Sequence, residues 1–468
     1  MNVKTKSPQA KAILLLLACC MAVPAHTSTG ESSPTLAQLQ QAAVQRNPEL
    51  AVQRAAQEVA GAEVDIAKRE WLPSVSANID KSYGRGSGSF SDTRVSNRRV
   101  NDAGKVGFSV SQSLYNPILN INIEQANLNA QSTDFAIDQT YDELTNRIVS
   151  LFLDILATQS EMVLLEGQQV AVNEQRKQAQ LSFEVGTVSI TDVREAEAKH
   201  DRIAAQLFAL KWQMQAKQAE LTTLSGAKIE PSAYASSIQA LPDVAEEDLT
   251  LWLAAMGSQN SLLKQSVIDY QIATLEKNKL QYKHYPKVQL VVENNRNLGA
   301  WSSEGQEDYT NSKWDWSAGV QVQFGLFNTN TSNAQTTKVL ATQNQRFETI
   351  RASQERLNIE MQQTFYQILA SIAEYQGLNK ASESAETALL ANMLGYQVGM
   401  RINADVLDAQ SKIYEVNRDR LVAWSNSWRN YIKLNQLAGT LTVDQLTQMD
   451  DILRQTVENS SELEKVNE

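Results

Sequence analysis

Two periodic arrangements of apolar positions run through the chain. Ala196, His200, Ile203, Leu207, Leu210, Met214, Lys217, Leu221 and Leu224 step by alternating fours and threes. Leu144, Ile148, Leu151, Ile155, Met162, Leu165 and Val172 supply a facing stripe. A 3.5-residue period predicts helices packed as a coiled coil. Val75, Ala77, Ile79 and Tyr83 instead alternate with polar residues, as do Val106, Phe108 and Val110. The same alternation returns at Val288, Leu290 and Val292, then at Val320, Val322 and Phe324. Period two predicts strands, here two hairpins with polar, Gly/Ser-rich connectors at 84–104 and 296–316.

The two halves repeat each other. Trp71-Leu72-Pro73 returns as His284-Tyr285-Pro286, Gly107 with Leu114-Tyr115-Asn116 as Gly319 with Leu326-Phe327-Asn328, and Leu224-Ser225-Gly226 as Leu437-Ala438-Gly439. The offset stays at 212 or 213 throughout, too constant for chance. The repeat predicts 26–226 and 249–439 as equivalent units, with hairpins at 74–115 and 287–327, joined by an equatorial linker at 227–248 and followed by 440–468. Each unit is expected to hold one helix (Leu36–Trp71; Thr250–Tyr285), a hairpin, a long helix (Ile118–Phe183; Thr329–Gly395) and a shorter one ending at Gly226 or Gly439. No proline interrupts 118–230 or 287–468. At 1.5 Å per residue the long helix runs about 99 Å, and the two shorter ones stack end to end alongside it. Pro117 has no counterpart, since Thr329 holds its place.

Composition narrows the function. Of 468 residues, 53 are acidic and 42 basic, a net charge of −11 without any basic run, so nothing offers the cationic stripe that nucleic acid requires. Lys4, Lys6 and Lys11 precede the apolar run Ala12–Val23, and Val23-Pro24-Ala25 suits cleavage, so 1–25 reads as an export signal. The competing reading makes Leu16-Leu17-Ala18-Cys19 a lipoprotein site with lipid on Cys19. Under either reading the two cysteines, Cys19 and Cys20, leave no disulfide framework. Beyond the leader only His26, His200 and His284 remain, with no Gly-rich phosphate loop or Cys/His spacing, so neither catalysis nor a cofactor is expected. The acidic end, Glu458 to Glu468, reads as disordered.

No later stretch approaches 18 consecutive apolar residues, so membrane passage is assigned to strands. Transmembrane barrels begin at about eight strands, and four cannot close alone. Three chains give twelve and leave a lumen. The expected fold is therefore mainly α with a transmembrane β-barrel: a trimeric, 12-stranded barrel, four strands per chain, continued by an α-helical coiled-coil barrel. Trp301, Trp314, Trp316, Tyr83 and Phe90 are candidates for an interfacial girdle. A periplasmic coiled-coil scaffold or adaptor without a channel is the competing reading.

The duplicated plan, the turns Phe183-Glu-Val-Gly-Thr-Val-Ser-Ile-Thr-Asp192-Val193 and Tyr396-Gln-Val-Gly-Met-Arg401-Ile-Asn-Ala-Asp405-Val406-Leu-Asp408-Ala409, and the terminal Leu-Ala-Gly-Thr resemble the TolC family of outer-membrane channels. The resemblance implies a homotrimeric exit duct set in outer-membrane lipid, with a long periplasmic extension closed at its end. Its implied partners are a periplasmic adaptor and an inner-membrane efflux pump or ABC exporter. The implied cargo is drugs and amphiphiles in efflux, or unfolded polypeptide in type I secretion.

Asp405 and Asp408 stand at i and i+3, one helix face. On residues alone they read equally as helix-capping acids; by the resemblance they form the selectivity ring. The resemblance likewise makes Tyr396 and Arg401 the gate latch of an inner hairpin and Thr191 and Asp192 their partners on an outer one. It places adaptor docking at Gly186 and Gly399, which also suit plain helix C-caps. Val188 and Glu195 occupy the positions equivalent to Arg401 and Asp408, so the halves differ in charge at the gate.

Overall fold

The computed structural model describes residues 34–88, 97–229, 240–245, 248–303, 309–311, 313–325 and 329–453. The export signal, both cysteines, His26, Phe90 and the acidic end lie outside the described residues. Of Trp301 only the strand backbone is described.

The opening helix expected over Leu36–Trp71 is two helices, α1 (Leu36–Arg46) and α2 (Pro48–Arg69). Asn47 ends the first and caps the second, its Oδ1 accepting from Leu50 N at 2.9 Å while Pro48 takes the first turn. The second half breaks at the equivalent Asn260, between α5 (Leu249–Gln259) and α6 (Ser261–Gln281). Asn260 Oδ1 accepts from Leu263 N, and its Nδ2 donates to Leu437 O at 2.9 Å. One asparagine per half thus sets the bend.

Between these helices and the rods lie β1 (Ser74–Gly88), β2 (Asn97–Tyr115), β3 (Lys287–Ser303), β4 (Tyr309–Asn311) and β5 (Trp314–Gln323). Both β4 and β5 pair with β3 in one register, Trp301 opposite Tyr309 and Arg296 opposite Trp314, so they are one interrupted fourth strand. All pairs are antiparallel, in the order β1-β2-β3-β5. The connectors are far shorter than the pattern suggested. Residues 84–88, 97–104 and 296–303 continue the ladder, because backbone pairing tolerates Gly, Ser and Asn that obscure the alternation. One face carries Val75, Ile79, Phe108, Trp316, Val320 and Val322, all exposed, with Ile79 at 81%. The other carries serines, Ser74 Oγ meeting Ser111 Oγ at 2.8 Å and Ser76 Oγ meeting Ser109 Oγ at 2.7 Å.

Below the sheet run α3 (Pro117–Glu184), α4 (Ile190–Ser225), α7 (Thr329–Gln397) and α8 (Asn403–Ala438). The α3–α4 seam forms on the expected residues: Leu165, Val172, Ala196, Ile203 and Leu210 share one cluster, joined by Leu407 of α8. An 18-residue stretch of α3 is long and apolar enough to cross a membrane, but half of it is buried in the protein. That burial is the main core, where Leu144, Ile148, Phe152 and Ile155 pack on Leu36, Leu39, Trp424 and Trp428. Both indoles donate to Ala240 O, at 2.8 and 2.9 Å, pinning the linker around the rod. Leu441, Leu446, Met449 and Leu453 close the same core.

Asp134, Asp138 and Asp142 line one face of α3 at intervals of four. Gln57 Nε2 donates to Asp134 at 2.6 Å, whereas burial, then Asp138 and Glu143, push the Asp142 carboxyl up to about 7. Folding therefore takes up a proton there, and its stability contribution falls as pH rises from the ordinary carboxylate range through about 7. Asp142→Asn is expected to match the parent's melting temperature near pH 3, below the ordinary carboxylate range, and to exceed it by a margin that grows up to pH 8, as circular dichroism on purified protein will report. Trp428, 1% exposed, is expected to cost about 3–5 kcal/mol when replaced by Ala, read as a lowered unfolding midpoint.

Candidate functional site

At the far end of the rods each helical hairpin turns through a glycine in the left-handed region, Gly186 at φ +80 and Gly399 at φ +74. Both turns close in one way: Thr187 N donates to Ser182 O at 2.9 Å, and Met400 N to Gly395 O at 2.8 Å. A side chain at either turn glycine would meet no atom within 4 Å, so the tips are open surface.

After the turns the halves diverge. Ser189 caps α4 with a full box: its Oγ accepts from Asp192 N, and the Asp192 carboxylate accepts from Ser189 N and Oγ, both at 2.9 Å. In the second half Ile402 replaces that serine and has no hydroxyl. Asp405 accepts only a longer bond from Ile402 N, at 3.4 Å, and lies 3.7 Å from Arg401 Nη1. Asp192 is thus held by its own cap, while the equivalent Asp405 is bound loosely enough to change partners.

A cleft of about 680 Å³ separates the two tips, and Asp192, Tyr396, Gly399 and Arg401 all line it. The structure therefore brings three of the four expected latch residues to one place. Thr191 stands exposed on α4, outside that lining. Arg401, in the turn before α8, makes its ion pair with Asp405 in the first turn of that helix, so in this single chain the guanidinium and the Asp192 carboxylate keep separate partners.

Two amides that the sequence did not single out line the same cleft. Gln175 and Asn403 are 8% and 4% exposed, and Gln175 Oε1 and Asn403 Nδ2 have no hydrogen-bond partner among the described residues. A buried acceptor and a buried donor left unmade each cost about 1–3 kcal/mol, which favours rearrangement of the tips. Amides among so many polar tip residues give no pattern to read. Gly395 was missed as well: the Arg401 stem lies where its Cβ would stand, at 2.8 Å, and its carbonyl accepts from Arg401 N. Ser182 at the equivalent position was the available signal.

Asp405 and Asp408 share a recess between α7 and α8 with Arg401 and Lys412. On the other side of α8, Asp408 also borders Lys199 and Arg202 of α4. Above this level the hairpins are stitched together. Tyr414 OH donates to Glu161 at 2.9 Å, Arg429 pairs with Asp154, and Asn146 Nδ2 donates to Gln436 at 3.0 Å. Burial and the Glu161 charge hold the Tyr414 phenol far above its usual range, keeping it a donor.

The profile of the outer membrane efflux protein family matches this chain twice, over residues 39–227 and 252–440, displaced by the same interval as the internal repeat. The outer membrane protein TolC of Vibrio cholerae serotype O1 is 24% identical over 413 residues, 87% of this chain and 91% of that protein. The proteases secretion protein PrtF of Dickeya chrysanthemi is 24% identical over 407 residues, covering 83% and 84%. The outer membrane protein VceC of Vibrio cholerae superposes with a TM-score of 0.69 at 16% identity, covering 86% of this chain and 96% of that one. With both halves matched across strands, rods and turns, the chain belongs to the outer membrane efflux protein family.

Proposed function

We propose that three copies of this chain close a twelve-stranded barrel in the outer membrane and continue it as a helical tunnel into the periplasm. As a family member the chain is an outer-membrane exit duct for efflux and type I secretion, and it is not an enzyme. The observation that carries the trimer is the sheet itself: among the described residues it is a four-stranded ribbon whose terminal strands β1 and β5 each pair on one side only. In hydrocarbon those open edges demand partners. Neighbouring copies supply them, β5 of one against β1 of the next.

The exposed face then meets lipid. From Val322 up to Trp314 is about nine residues, the span of a tilted transmembrane strand. Trp314 and Trp316 stand at its upper limit with Arg296 5.4 Å from the Trp314 ring, an arrangement suited to the interface. The serine face lines the lumen.

At the periplasmic end Asp405 and Asp408 line the constriction and make it cation-selective. Tyr396 and Arg401 latch the inner hairpin to Asp192 and Thr191 of an outer one, within or between copies. Bonds of about 1 kcal/mol each, summed over three chains, hold the mouth shut until a partner docks. A periplasmic adaptor engages the open tips at Gly186 and Gly399, linking the duct to an inner-membrane pump or ABC exporter.

In planar bilayers, Tyr396→Phe combined with Arg401→Ser is expected to raise single-channel conductance several-fold; parent-like conductance would contradict the latch. A strain lacking the protein is expected to become hypersensitive to dyes and detergents, or to lose a secreted polypeptide. Restoration by the parent chain, against no defect of either kind, decides whether the duct is used.

A further inference from the structure

We infer that Lys199, on the outer hairpin, is a specificity-determining residue of the gate: its ammonium sets how much of the Asp408 charge an entering ion meets. The inference rests on the assignment of Asp405 and Asp408 to the constriction. Its basis is a recess of about 610 Å³ between α4 and α8, lined by Glu195, Lys199 and Arg202 on one wall and Asp408, Lys412 and Glu415 on the other. Asp408 and Lys412 border both this recess and the one that holds Asp405, and Asp408 is the carboxylate they share. Whatever charge α4 presents here therefore acts on the ring from behind.

Within the recess Lys199 differs from the other two cations. Arg202 sits three positions along the same helix, and Lys412 lies 3.6 Å from the Glu415 carboxylate, so that charge is already answered. Lys199 is half-buried. Its pKa is lowered by burial and by Arg202, while Asp408 and Glu415 pull the other way. An ammonium held off water by the protein is poorly screened, so it acts across the recess on the carboxylate opposite. Arg401, though exposed, stands 3.7 Å from Asp405. Each ring acid thus has a cation behind it, and the closed mouth is less negative than six bare carboxylates.

The two cations respond differently to opening. Arg401 belongs to the inner hairpin and moves with its acid, whereas Lys199 is on the outer hairpin. When the inner hairpin swings away, Asp408 leaves Lys199 behind and its full charge faces the lumen. Cation preference therefore rises as the duct opens. No residue of the inner hairpin could produce that coupling, because it would travel with the ring.

The test is the reversal potential of full-length trimers in planar bilayers under a KCl gradient. Lys199→Met keeps the stem and removes the charge; it is expected to raise the K⁺/Cl⁻ permeability ratio of the closed channel roughly twofold or more. Lys199→Arg is expected to stay at the parent value. In an Asp408→Asn background Lys199→Met is expected to add nothing. In the latch-broken Tyr396→Phe, Arg401→Ser channel its effect is expected to shrink, since the ring has already moved. Raising pH toward the lysine range is expected to lift the ratio of the parent but not of Lys199→Arg. An unchanged ratio in Lys199→Met, while Asp405→Asn with Asp408→Asn does lower selectivity, overturns the role of Lys199 and leaves the gate standing. If that double aspartate variant is itself without effect, the ring assignment fails and this inference with it.

Discussion

Everything in this molecule follows from the edges of a sheet that is too narrow to close. Four antiparallel strands cannot satisfy their outermost backbone groups in hydrocarbon, where no water replaces the missing partners. The face that carries Ile79, Phe108 and Val320 is apolar and the opposite face is hydroxyl-rich. Such a ribbon is stable only as a segment of a closed wall, with its apolar side to lipid and its polar side to a lumen. A hollow upper half in turn requires a hollow lower half, so the helices below act as staves in a wall.

Duplication supplies the staves cheaply. The bend at Asn47 returns at Asn260, and the left-handed terminus at Gly226 (φ +73) returns at Gly439 (φ +72). Equal lengths keep both hairpins in register with the same sheet. At the tips the copies depart from each other. One serine-to-isoleucine difference, Ser189 against Ile402, releases the N3 aspartate of the second half from its cap. One valine-to-arginine difference, Val188 against Arg401, provides a cation beside it.

Rigidity and looseness are also distributed along the rod. The α3–α8 boundary is bonded through Asn146, Asp154 and Glu161 as far down as Tyr414. Below that point the same boundary opens into a cleft where Gln175 Oε1 and Asn403 Nδ2 lack partners among the described residues. The upper seam is thus well bonded and the lower one, among the described residues, is under-satisfied.

The sequence by itself determined the plan. Seam periodicity placed Leu165, Val172, Ile203 and Leu210 in one core, alternation placed the exposed apolar residues on one face of the sheet, and the constant offset revealed the two halves. These are readable because burial along helices and strands obeys fixed periods. The turn residues were legible by type, and Asp192, Tyr396 and Arg401 do meet in one cleft. The tertiary structure alone decided which partner each group holds. Asp192 is held by its own cap, Arg401 by Asp405 above a seat at Gly395, and Lys199 faces Asp408 from another helix. It also extended the strands through stretches whose Gly and Ser content hid them. Such pairings depend on distances between elements far apart in the chain, and no local period encodes those.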